Sequence, residues 1–253
     1  MESIGSIIRR TIPITTQNSK PGSDEIKYQC SICNDGGWIT PRGMDGQPLY
    51  DKIIRCECRA QADWEKKQAA YLKRCELPPA TDDRTFETYQ TGNNPSLKEA
   101  LEAAKDVINK KLVFLTLVSD VDHGKTHLAI AICRAWLAKG KSAKYAFVPL
   151  LLDELKAGFK QEGDHSYDST FNFYQRVELL VLDDLGAEKK TDWSIEKLET
   201  IIDYRYINEL PTVITTNSAP DEFTPRIRSR IQRAKNSKIV VISGPEYHLT
   251  KKK

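Results

Sequence analysis

The 253-residue chain has no apolar run approaching the ~20 residues that a membrane helix needs. Its longest largely apolar stretch, Leu112 to Val118, falls far short, so no membrane partner is expected. The opening MESIGSIIRR lacks the basic start, long apolar run and small-residue cleavage site of a secretory signal. A reducing cytoplasm is therefore the expected compartment, and clustered cysteines are read there as metal ligands before disulfides. No internal repeat or low-complexity tract is present, and a hydrophobic content of 40% excludes a disordered chain. Excess charge is lacking too: 38 Lys+Arg against 35 Asp+Glu leave +3. That balance is uneven along the chain, because from Pro225 onward nine basic residues face one acid, Glu246. Such a face is either solvated surface or a phosphate-facing one.

What is present falls into segments. Residues 1–28 read as a flexible leader, with turn-forming residues from Thr15 to Glu25. Residues 29–76 hold four of the six cysteines among Gly and Pro, then a helix-like stretch rich in Ala, Lys and Glu. A module that small has too few apolar residues for a core and needs a metal staple. Residues 77–95 carry prolines and turn residues and read as a linker. From 96 to 253, five continuous apolar strands alternate with helices: KLVFLTLVS, Ala143 to Val148, ELLVLDDL, PTVITTN and KIVVISG. Strands without a polar face imply a parallel sheet covered on both sides, an α/β nucleotide-binding architecture.

Chemistry concentrates at the strand ends. His123-Gly124-Lys125-Thr126 lies between a strand and a helix, where loop amides and the helix N-terminus cradle phosphates. Lys125 would reach the outer phosphates of ATP and Thr126 would ligate Mg²⁺. The full P-loop pattern places Gly five positions before Gly124, but Ser119 stands there, with Asp120 and Asp122 inside the loop. A carboxylate beside a triphosphate is repulsive, and a non-glycine residue resists the positive φ that such a loop uses. The strand Glu178 to Asp184 ends in two acids. In a P-loop enzyme Asp183 would hold Mg²⁺ through water and Asp184 would polarise the attacking water. The strand Pro211 to Asn217 presents Asn217 to the γ-phosphate or the lytic water. Finally, Cys30-x-x-Cys33 and Cys56-x-Cys58 can close a tetrahedral Zn²⁺ site, the alternatives being free thiols or a redox pair.

Taken in order, Thr85-Phe86-Glu87, GKTHLA, VPLLLDEL, LLVLDDLGAE, TTN and SRI make Thr85 to Gly244 resemble the DnaC/IstB-type AAA+ ATPases. These are replicative helicase loaders and their transposition-associated relatives. The resemblance implies an AAA+ five-stranded parallel sheet and ATP-dependent self-association in which an arginine of one subunit touches its neighbour's γ-phosphate. Arg230 is the position carried over for that finger, with Arg226 one turn earlier as its partner; an exposed basic helix face is the other reading. The family's C-terminal Gly-x-x-Tyr-Arg segment senses nucleotide through its arginine, whereas His248 stands at that place here. The few residues after Gly244 leave no room for a separate helical lid. With Ser119 and Asp122, these departures predict weakened hydrolysis and leave open ATP as an assembly signal. Some loaders carry an N-terminal zinc module that contacts the helicase. The implied function is thus a loader docking on a hexameric replicative helicase and delivering it to single-stranded DNA. The alternatives are an IstB-like transposition helper and a non-hydrolysing adaptor.

Overall fold

A computed structural model describes residues 27–234 and 236–247. Residues 1–26 of the expected leader, and His248, lie outside the described residues. The chain divides into two compact units between Lys67 and Gln68.

In the first unit, β1 (Trp38–Ile39) pairs antiparallel with β2 (Ile54–Arg55), and helix α1 (Glu57–Cys75) begins immediately afterwards. Gly37 has φ 73°, left-handed backbone that favours glycine, and a Cβ there would press on the Arg59 side chain at 2.7 Å. Arg55 and Arg59 lie over the Trp38 ring, 5.6 and 5.2 Å from its centroid.

The second unit contains the helices α2 (Pro95–Ile108), α3 (Lys125–Ala138), α4 (Val148–Gly158), α5 (Tyr167–Arg176), α6 (Asp192–Ile207) and α7 (Pro225–Arg233). Its strands are β3 (Phe114–Val118), β4 (Ala143–Phe147), β5 (Leu179–Asp183), β6 (Thr212–Thr216) and β7 (Ser237–Val241). They form one parallel sheet in the order β4-β5-β6-β3-β7. The first strand in sequence, β3, is thereby flanked by β6 and β7. The crossover to β4 on the far edge makes the C-terminal end of β3 a switch point, where ligands bind in open α/β sheets.

Alternation along each strand divides the core into two layers. Leu115, Leu117, Leu179, Val181, Val213 and Val240 pack under α2 and α3. Phe114, Leu180, Leu182 and Ile214 face the opposite way, under α4 to α7. Both faces are dry, which accounts for strands β3, β5 and β6 being buried at every position. Arg205 of α6 is also wholly buried, its guanidinium donating to Thr212 Oγ1 and to the carbonyls of Tyr174, Gln175, Val177 and Pro211.

Two sequence expectations require adjustment. Helix α5 was not anticipated: its apolar positions are aromatic (Tyr167, Phe171, Tyr174) at helical spacing, in a stretch of Asp, Ser, Thr and Asn that reads as turn. The segment expected as a linker lies on the nucleotide-binding fold instead. Tyr89 is a core residue, while Leu77 and Phe86 pack against the same cluster. Asn94 caps α2, accepting from the amides of Ser96 and Leu97, and donates through Nδ2 to the Ser243 carbonyl at 2.6 Å. Gly244, with φ 120°, allows that approach.

Candidate nucleotide and metal sites

The loop between β3 and α3 ends at Gly124, whose φ of 83° only glycine adopts without cost. No side chain caps α3, so its N-terminal turn keeps the positive end of the helix dipole for an anion. Tyr89 and Tyr247, stacked with centroids 5.1 Å apart, lie against Gly124, where a Cβ would meet them at 3.0–3.1 Å. A cleft at this point is lined by Ala80, Asp83 and Arg84, by the residues from Asp122 to His127, and by Tyr247.

Lys125 is buried, and its Nζ donates to the Ser119 carbonyl and hydroxyl (2.9 and 2.8 Å), the Asp120 carbonyl (2.6 Å) and Asn217 Oδ1 (2.8 Å). Burial lowers its pKa, and the carboxylates of Asp184, Asp183, Asp120 and Asp122 oppose that shift. Ser119, standing where a glycine was expected, therefore has a use: its hydroxyl is a lysine acceptor. Asp122 has φ 61°, left-handed backbone that costs a non-glycine residue about 1 kcal/mol. Its carbonyl accepts from the Tyr247 amide at 2.6 Å. His123 closes the loop from outside, one ring nitrogen 2.7 Å from the Val121 carbonyl and the other 2.9 Å from the Gly244 carbonyl.

At the end of β5, the Asp183 carboxylate is buried and accepts three hydroxyls. Thr126 Oγ1 lies 3.2–3.3 Å away, Thr215 Oγ1 2.6 Å and Tyr145 OH 2.5 Å. A hydroxyl and a carboxylate this close suit Mg²⁺, which takes one or two protein oxygens and keeps several waters. Asp184 follows in left-handed conformation, φ 61°, fixed by the hydrogen bond from its amide to Thr215 Oγ1 at 2.8 Å. Burial and the neighbouring Asp183 raise its pKa, against the pull of Lys125. Asn217 Nδ2 donates to Asp184 Oδ1 at 2.8 Å, which links the second acid to Lys125 through one amide. Lys125, Thr126, Asp183, Asp184 and Asn217 thus converge at one sheet edge.

Arg230 lies elsewhere, on α7. Its Nε donates to Asp203 Oδ1 of α6 at 2.6 Å, Arg226 pairs with the other oxygen, and the Arg230 guanidinium covers the Tyr206 ring. Burial pushes the Asp203 carboxyl up, but the hydrogen bonds from Arg230 and Arg226 outweigh it and hold the group below its ordinary value.

Tyr145, Tyr89 and Arg84, at or beside the cleft, were not among the expected site residues, and Thr215 was expected only as part of the TTN run. Tyr145 sits inside an apolar strand and reads as core; Tyr89 and Arg84 sit in what looked like a connection.

In the first unit, the sulfurs of Cys30, Cys33, Cys56 and Cys58 all lie within 4.8 Å of one another, with Cys30–Cys56 at 3.7 Å and Cys33–Cys58 at 3.3 Å. Four thiolates held 2.3 Å from one tetrahedral ion are about 3.8 Å apart, so the set fits Zn²⁺. The Gly37 amide donates to Cys33 Sγ at 3.3 Å. Amides of Cys33 and Ile32 pull the Cys30 thiol down to about 7, while Cys58 is pushed up by hydrogen bonding with Cys33. The four cannot ionise together without a cation among them.

A phosphate-cradling loop at the switch point, two acids at the next strand and an amide on the third define a P-loop nucleotide-binding protein of the AAA+ type. Residues 48–228 match the family described as IstB-like ATP binding protein, and the chain belongs to that family. Among curated proteins it is similar to the replicative helicase loader DnaC of Escherichia coli K12, 27% identical over 77% of this chain and 81% of that protein. The replicative helicase loader DnaI of Bacillus subtilis is 25% identical over 78% and 67%. The phage-like element PBSX protein XkdC of the same organism is 24% identical over 90% and 87%. A crystal structure of the DnaC helicase loader superposes with a TM-score of 0.57 at 27% identity, covering 66% of this chain and all of that one. Among the described residues no helix is long and apolar enough to cross a membrane.

Proposed function

We propose that the protein is an ATP-dependent loader of a hexameric replicative DNA helicase, which it delivers to single-stranded DNA. In this reading ATP binds in the Gly124 cleft, its phosphates on Lys125 and the α3 amides, with Mg²⁺ between Thr126 and Asp183. Asp184 activates water, Asn217 reports the γ-phosphate, and Arg230 completes a neighbouring subunit's site. The Cys30, Cys33, Cys56 and Cys58 unit holds Zn²⁺ and docks on the helicase. One observation carries the nucleotide part: Lys125, Asn217 and Asp184 form a continuous hydrogen-bonded series at the switch point. The helicase part is supported by the likeness to loaders over about three quarters of this chain.

The test is co-purification of the full chain with a hexameric replicative helicase, with and without ATP, beside Lys125→Ala and a Cys30→Ser variant. Loss of the complex with Cys30→Ser supports docking through the cysteine unit. Absence of any complex with the parent chain sinks the loader reading. A second reading, a transposition helper acting on duplex DNA, is favoured by the IstB-like family match and by likeness to a putative ATP-binding protein in an insertion sequence of Mycobacterium tuberculosis, 26% identical over 74% of this chain.

A further inference from the structure

The cleft at Gly124 contains two cations, Lys125 and Arg84, and two carboxylates, Asp83 and Asp122, among its lining residues. Lys125 is fully engaged: four protein oxygens surround an ammonium that has three protons to donate. Arg84 is the opposite case. It is half-buried, and among the described residues its guanidinium has no hydrogen-bond or ion-pair partner, although acids line the same cleft.

The backbone that carries Arg84 is nevertheless held firmly. The Arg84 amide donates to the Thr81 carbonyl at 3.0 Å, and the Thr88 hydroxyl bonds the Asp83 carbonyl. The Thr85 carbonyl lies 2.9 Å from His127 Nε2, in the first turn of α3. A rigid turn pinned to the phosphate-cradling helix thus presents an unused five-donor fork to the cleft. An arginine fork matches phosphate oxygens in pairs, which an ammonium cannot do.

We propose that Arg84 is a phosphate-binding residue of this cleft, engaging the phosphate oxygens of a nucleoside triphosphate and offsetting the repulsion from Asp83 and Asp122. The proposal rests on the reading of the Gly124 cleft as a nucleotide site, and it makes Arg84 a determinant of triphosphate over nucleoside. Its contribution grows with the number of phosphates, because the fork answers charge and not the base.

The experiment is equilibrium titration of the full-length protein with ATP, ADP and adenosine by calorimetry, for the parent, Arg84→Ala, Arg84→Lys and Lys125→Ala, with thermal melts confirming folding. Arg84→Ala is expected to weaken ATP about tenfold or more and ADP less, and to leave adenosine unchanged; Arg84→Lys recovers part of the loss. Equal losses for all three ligands would make Arg84 a base-stacking residue and overturn the proposal. So would unchanged ATP affinity in Arg84→Ala while Lys125→Ala loses binding. If the parent binds no nucleotide, or Lys125→Ala binds as the parent does, the cleft reading itself fails, and Arg84 with it.

Discussion

Lys125 at the start of α3 and Asn217 just beyond β6, 92 residues apart in sequence, meet through a 2.8 Å hydrogen bond. The amide that accepts from the lysine also donates to Asp184, so the proposed phosphate-binding cation and the proposed water-activating acid share one side chain. A phosphate entering the cleft competes for the same ammonium and thereby bears on the acid.

Separate functions for the two ends of this series follow. Lys125→Ala is expected to lose ATP binding by about a hundredfold, in line with ~2–3 kcal/mol for a charge-assisted contact. Asp184→Asn keeps binding and loses turnover, since it acts on water. Filter binding and phosphate release measure the two, and equal ATP affinity in Lys125→Ala and the parent would refute the assignment.

Asp122→Gly is expected to bind ATP more tightly, by roughly five- to tenfold. The substitution removes a carboxylate from the cleft and relieves left-handed backbone at φ 61°. An affinity unchanged at low salt would show that neither effect reaches the ligand.

One Zn²⁺ per chain is expected in protein purified without added metal, by elemental analysis. Cys58→Ser should abolish it and unfold the first unit, while the parallel sheet keeps its melting transition. Zinc-free fresh protein with a folded first unit would sink the metal reading.

Arg230→Ala is expected to bind ATP as the parent does yet fail to form ATP-dependent oligomers. Arg226 remains on Asp203, so folding should persist. Mixing with Lys125→Ala, which keeps its finger, should restore some hydrolysis. Weaker DNA binding with a shallower salt slope and no such rescue would make Arg230 a DNA contact.

Asp203 links stability to acid. Its folded pKa lies below the ordinary 3.8, so its contribution is fully present above that value and is lost as pH falls through the folded one. Urea unfolding of the parent and Asp203→Asn should differ most above pH 3.8 and converge as pH falls through the lowered folded value. A gap that is the same at neutral pH and at the acid limit of folding would contradict the pairing.

The sheet and the phosphate loop were legible because buried parallel strands are apolar throughout and the glycine-lysine-threonine turn has a fixed place between strand and helix. Helix α5 was not, because aromatic residues among Ser, Thr and Asn carry no aliphatic period. The cysteine set could be read from spacing, whereas the hydroxyls around Asp183 could not. Tyr145 and Thr215 are polar groups inside strands, and only the register of β4 and β6 beside β5 brings them to one carboxylate. Arg84 and Tyr89 were hidden by their setting, since turn-rich sequence does not disclose what a turn is pinned to.

The bond from Asn94 to the Ser243 carbonyl ties the segment that bears Tyr247 to the start of α2. The walls of the cleft therefore come from residues before the sheet, after its first strand and beyond its last. Such a pocket cannot exist in a partly assembled chain. Nucleotide is then a ligand of the completed fold alone, and at a hundred times its dissociation constant it adds about 2.7 kcal/mol to stability by mass action. Bound nucleotide would thus report assembly itself, raising the temperature of unfolding with each increase of its concentration above the dissociation constant.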